Sequence, residues 1–279
     1  MMEIVIPLFE DFSLKISPHP SSGKEYSTAG LQKGWLLCKS GEELSEEGVG
    51  FGVPVIQRGL TTVFPGKVDL ETRRNGAGKE IIAVYSMNLG ERIAGSDRRI
   101  LRNDILYTFK NHLASLYRRF PPLRTPLTVI SSALREMFRW RTVFEKSEYS
   151  SAIKIKYRIT EGKGQIMVEA DLTDMERDGV TEVVMMNEQG ARYFVRYRDS
   201  GGMVLTGNKI NGWDEVMADK ASFVCDRHQV AFTLRQVPGA RLFRGRELVG
   251  TRLAWAGFGY LLPPVTGKFG FDLRIEKVS

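Results

Sequence analysis

Between Ala152 and Leu172 the chain alternates apolar and polar residues with period two on both sides of a glycine-containing turn. Ile153, Ile155, Tyr157 and Ile159 alternate with Lys154, Lys156 and Arg158. After Glu161-Gly-Lys-Gly164 the residues Ile166, Val168, Ala170 and Leu172 share one face. A helical period would scatter these apolar residues around its axis, so the pattern predicts a half-buried antiparallel hairpin. Similar runs recur from Glu3 to Asn88 and from Thr181 to Lys277. They are separated by turn signals such as Arg74-Asn-Gly-Ala-Gly78, Glu188-Gln-Gly190, Ser200-Gly-Gly202 and Asn211-Gly212. Short strands joined this way lead to a mainly β protein, a large antiparallel β-sandwich, and not to alternating β-α units.

One window departs from that pattern. Arg98 to Arg141 holds ten Lys/Arg against two acids, while the whole chain holds 40 against 33, so the rest is close to neutral. Leu101, Ile105, Phe109, Leu113, Leu116 and Phe120 recur at helical spacing, and Phe120-Pro-Pro122 ends the run. Thr125 and Pro126 suit the start of a second helix, with Leu127, Ile130 and Leu134 on one side and Trp140 and Arg141 at its close. The expectation is an inserted basic helical hairpin over 98–141. It separates a β segment over 1–97 from one over 142–279, and these pack as one large domain or as two lobes.

Nine of the ten basic residues in the window are arginines, whose planar guanidinium grips phosphate, sulfate or carboxylate bidentately. Arg118, Arg119, Arg124, Arg135, Arg139 and Arg141 are therefore the candidate anion-binding residues. Favourable placement at helix C-termini is the plain alternative for several of them. Arg192-Tyr-Phe-Val-Arg-Tyr-Arg198 reads as a strand with one basic face, and Trp213 and Trp255 are candidates for an aromatic platform.

No catalytic motif is present. Glu47, Tyr85, His228 and Tyr260 are residue types able to transfer a proton and are the candidate acid/base groups. The glycines of Glu47-Gly-Val-Gly-Phe-Gly52 precede a strand-like run and no Lys-Ser/Thr follows, so they read as a bulge or a close approach and not as a phosphate loop. Asp174-Met-Glu176-Arg-Asp178-Gly179 resembles half a calcium loop, but Met185 stands where a bidentate acid is needed. The three histidines have no partner at zinc-ligand spacing, so neither metal nor cofactor is expected. Cys38 and Cys225 sit in apolar runs, as free thiols do in a reducing compartment.

The N-terminus, with Glu3 and Pro7, does not resemble a signal peptide, and no stretch is apolar enough for a membrane helix. These features suggest a soluble cytoplasmic protein. The leading function is binding or processing of an anionic carbohydrate in a sheet cleft. The alternatives are nucleic-acid binding through the arginine-rich helices and a protein-interaction module with an acidic partner.

Overall fold

A computed structural model describes residues 2–21, 30–59, 61–75, 78–94, 141–210, 212–249 and 253–278. The first four strands, β1 (Ile4–Phe9), β2 (Phe12–Ile16), β3 (Leu36–Lys39) and β4 (Glu42–Glu43), form a small sheet in that order. The other fourteen form one large sheet. They are β5 (Gly50–Arg58), β6 (Thr61–Asn75), β7 (Gly78–Ala94), β8 (Arg141–Thr160), β9 (Gln165–Asp171), β10 (Val180–Gln189) and β11 (Arg196–Asp199). They continue with β12 (Val204–Thr206), β13 (Asp214–Glu215), β14 (Lys220–Cys225), β15 (Val230–Arg235), β16 (Arg241–Val249), β17 (Leu253–Leu262) and β18 (Lys268–Lys277). Their order is β12-β11-β14-β15-β18-β9-β8-β7-β6-β5-β10-β17-β16-β13, with every pairing antiparallel.

The large sheet curls over on itself. Phe51 of β5 meets Phe232 of β15 with ring centroids 5.2 Å apart, and Phe223 of β14 meets Phe258 of β17 at 4.9 Å. These strands are far apart in sheet order, so the two ends of the sheet face each other like the layers of a sandwich. The shared core is filled by one residue in two from each strand: Ile153, Ile155, Tyr157 and Ile159 of β8, and Ala254, Ala256, Phe258 and Tyr260 of β17. The residues between them form the outer face. The hairpin predicted from residues 152–172 is present, with Ile159 paired to Ile166 and Lys154 to Asp171.

Two expectations are corrected. The helical hairpin of Arg98–Arg141 lies outside the described residues except for its last residue, and Arg141 does not close a helix. It opens β8 and pairs with Ala94, because β7 and β8 ladder together from Gly78↔Thr160 to Ala94↔Arg141. Among the described residues the helical elements are two single 3-10 turns, Gly207–Lys209 and Asp226–His228. The strand expected over Arg192–Arg198 begins only at Arg196. Ala191 to Tyr193 form a turn, and Phe194 points into the core against Phe232. Its arginines do not make a common basic face: Arg192 is held by Glu46 and Arg196 by Asp226.

Candidate functional site

On the outer face of β10, β17 and β16 one row lacks side chains on both sides of a single carboxyl, and two indoles stand at its border. Register places Gly50 of β5, Glu188 of β10, Gly257 of β17 and Gly245 of β16 in one row across four strands. In the adjoining row Trp255 of β17 stands opposite Glu247 of β16. Trp213 comes in from the segment before β13 and stacks on Trp255, with centroids 4.9 Å apart and planes 18° from parallel. Both indoles occupy the space that a side chain at Gly245 would need: a Cβ there would lie 2.9 Å from Trp255 Cη2 and 3.2 Å from Trp213 Cδ2. A Cβ on Gly259 would touch Trp213 at an ordinary 3.5 Å and crowd Val184 at 3.0 Å. Both rings remain half-buried at the surface, and glycine is the residue that lets a large ring stand this close to a strand.

Glu188 lies on this face by alternation, since its neighbours Asn187 and Met185 carry the opposite parity and Met185 belongs to the core. Its cross-strand partners on both sides, Gly50 and Gly257, have no side chain. Glu188 is 4% exposed, and its Oε2 accepts a hydrogen bond from the Val49 N–H at 3.2 Å. Burial pushes the carboxyl up to about 7. The Val49 hydrogen bond and Lys33 pull it down, and Glu247 pushes it further up. Such a group holds or releases a proton near neutrality.

The loop before β5 brings Glu47 to the same border. Lys33 Nζ donates to Glu46 O at 2.8 Å, Glu47 N donates to Ala254 O at 3.3 Å beside Trp255, and Gly34 N donates to Val49 O at 2.9 Å. Gly50 and Gly52 permit the path: both have positive φ, 91° and 72°, and a Cβ on Gly52 would lie 2.6 Å from the Tyr157 ring. Burial lowers the Lys33 ammonium, against Glu47, Glu43 and Glu188, which raise it. Asn187 and Gln189 serve the backbone here. Asn187 Oδ1 accepts from Gly52 N at 3.0 Å, and Gln189 Oε1 accepts from Leu37 N at 3.1 Å.

Of the four acid/base candidates, Glu47 belongs to this border. Tyr85 lies in the core, hydrogen-bonded to Tyr157 Oη at 3.0 Å, and burial raises its phenol. Tyr260 is also in the core, donating to Arg235 O at 2.5 Å, with its phenol raised by burial. His228 sits in the turn between β14 and β15, its ring 5.9 Å from that of Tyr193. Burial lowers its imidazole, with Lys39 and Arg227 adding to the effect. Arg118, Arg119, Arg124, Arg135 and Arg139 lie outside the described residues. Glu188, Lys33, Glu247 and the glycine row escaped the sequence reading. The available signal was an Asn-Glu-Gln run closing an otherwise apolar strand, which marks polar side chains where the alternation predicts burial.

The remaining outer face, on β7, β8, β9 and β18, is charged. Arg158 bridges Glu80 at 3.2 Å and Glu169 at 2.9 Å, and Lys156 stands 3.9 Å from Glu169. An open cleft of about 340 Å³ lies there between Lys154, Lys156, Lys268, Glu169 and Asp171. Among the described residues no group of three or more His, Cys, Asp or Glu is arranged to hold a metal ion, and no helix is long and apolar enough to cross a membrane.

Neither protein-family models nor curated proteins match this sequence. Solved structures do. The fold is similar to the α-N-acetylgalactosaminidase NagBb from Bifidobacterium bifidum in its GalNAc complex, with TM-score 0.51 and 10% identity over 99% of this chain and 36% of that one. The Gal-NHAc-DNJ complex of the same enzyme gives TM-score 0.50 at 10% identity, over 99% and 36%. An α-mannosidase from Enterococcus faecalis V583 gives 0.46 at 12% identity, over 100% of this chain and 30% of that one. The chain thus spans 36% of the NagBb enzyme. These neighbours are glycosidases, and at such identity the likeness is one of fold.

Proposed function

We propose that this chain binds a saccharide on the outer face of β10, β17 and β16, with a sugar ring held at Trp213 and Trp255. The observation that carries this reading is the stacked indole pair standing on Gly245 and Gly259, with Glu188, Glu47 and Glu247 at its border. Sugar rings present apolar C–H faces that pack on indole, and their hydroxyls donate to carboxylates, so recognition needs both kinds of group side by side. The glycosidase neighbours agree with a carbohydrate ligand at the level of fold.

The arginine-rich segment gave this reading a finer form, an anionic saccharide. That form rests on arginines outside the described residues, so it is not carried to this face. Titration of the intrinsic tryptophan fluorescence with a panel of neutral, amino and acidic oligosaccharides tests the assignment. A saturable change is expected with at least one class, and Trp213→Ala or Trp255→Ala should weaken it roughly tenfold. A panel that leaves the emission unchanged, with nucleic acid bound tightly and salt-sensitively, would transfer the function to the arginines.

A further inference from the structure

Glu188 is an expensive residue for its position if hydrogen bonding to Val49 is its whole task. A glutamine would accept the same N–H without the cost of a buried charge. Among the described residues no cation stands within ion-pair distance of the carboxyl. Lys33 bears on it from farther away and spends its own hydrogen bond on Glu46 O. Both cross-strand neighbours are glycines, so the sheet supplies no side chain to cover or neutralise it. Trp255 is two residues along β17 from Gly257 on the same face, a diagonal neighbour about 7–8 Å away and within reach of a long side chain. Glu247 lies opposite Trp255 on β16.

Resting on the saccharide reading, we propose that the sugar taken by this face carries a positive amino group, whose ammonium is received by Glu188 while the ring stacks on Trp255 and Trp213. An ammonium there supplies the countercharge that the sheet withholds, and the adjacent indole attracts the same cation through its ring quadrupole. An acetylated amine offers neither charge, and a uronic acid offers the wrong one. Proton linkage follows. A ligand ammonium favours the carboxylate, so binding expels the Glu188 proton and affinity rises with pH through the range where that proton is held.

The test compares fully deacetylated glucosamine oligosaccharides with N-acetylated ones of equal length by isothermal titration, at about pH 5.5 and about pH 7. The wild type should bind the amino form roughly tenfold more tightly than the acetylated form at the higher pH. It should also release protons on binding the amino form. Glu188→Gln, which keeps the acceptor for Val49 and so keeps the loop, should bind both forms alike with no proton release. A thermal melt confirms that this variant is folded. Equal affinity of the wild type for both forms would overturn the amino preference while leaving the saccharide reading in place. A preference that survives in Glu188→Gln would likewise remove Glu188 from it. Failure of every saccharide to bind would remove both.

Discussion

The outer face of one continuous sheet has two characters. On β7, β8, β9 and β18 long charged side chains cross from strand to strand, and Arg158 and Lys156 each engage carboxylates on both neighbouring strands. On β10, β17 and β16 the row through buried Glu188 is glycine on both sides, and the next row sets Trp255 opposite Glu247. Both halves are antiparallel ladders, and they differ in what the side chains do for one another. Cross-strand charges that satisfy each other in water contribute little to stability and hold little in reserve. A row of glycines around a buried carboxyl is a poor stabiliser and a better receptor.

The glycines give the sharpest way to break this comparison. A Cβ on Gly257 would lie 2.1 Å from Asn187 O, a backbone atom fixed by the β10 ladder, whereas on Gly270 of β18 it would meet Val168 O at an ordinary 3.5 Å. Gly257→Ala should cost at least about 3 kcal/mol in urea unfolding, and Gly270→Ala should stay within about 0.5 kcal/mol of wild type. Similar costs at both sites would mean that the two halves are equally tight.

Next comes the pH profile of stability. The Glu188 carboxyl, pushed from its ordinary 4.5 to about 7 by burial, keeps its proton in the folded state where the unfolded chain has lost it. The resulting contribution is complete below about pH 4.5 and lost as pH rises through about 7. Over that window wild type should lose about 3 kcal/mol relative to Glu188→Gln. Parallel profiles for the two proteins would show that the carboxyl is solvated in the folded state.

The platform should give a smaller effect on stability than on binding. Trp255→Ala exposes glycines and removes a stacked ring, at about 1 kcal/mol, and weakens saccharide binding roughly tenfold. The smallest effect belongs to the charged half: Lys154→Gln and Lys268→Gln, both on exposed residues, should each change stability by less than about 0.5 kcal/mol. They should also leave saccharide affinity untouched. A lost affinity in either would move the site to the open cleft between them.

Period-two alternation made the strands legible wherever one face is buried, as in Ile153 to Ile159. It failed where a strand is held by its ladder alone. Residues 143–150 carry no alternating signal, yet they belong to β8 because β7 pairs with 143–146 and again from Ser151, across a break in register. Glu47, Trp213 and Trp255 were visible as residues of suitable chemistry, but their shared face depends on strand order, which no local pattern encodes. Tyr85 and Tyr260 looked equally suitable. Tertiary packing decided against them, since their hydroxyls have structural partners inside the sandwich. Glu188 was hidden for another reason: Glu188-Gln-Gly190 reads as a turn, whereas β10 continues through Gln189 and sets Glu188 on its outer face.

The register between β7 and β8 has a consequence for how this architecture tolerates change. Ala94 and Arg141 face each other across a single rung, so the chain leaves the sheet and returns to it at the same place. Whatever lies between them is, for the sheet, a hairpin connection whose length is free to vary, since the entropy of closing a loop grows only slowly with its size. The two long strands resemble the jaws of a clip that could grip a two-residue turn as readily as an entire appended module. Evolution can rewrite the part without touching the frame.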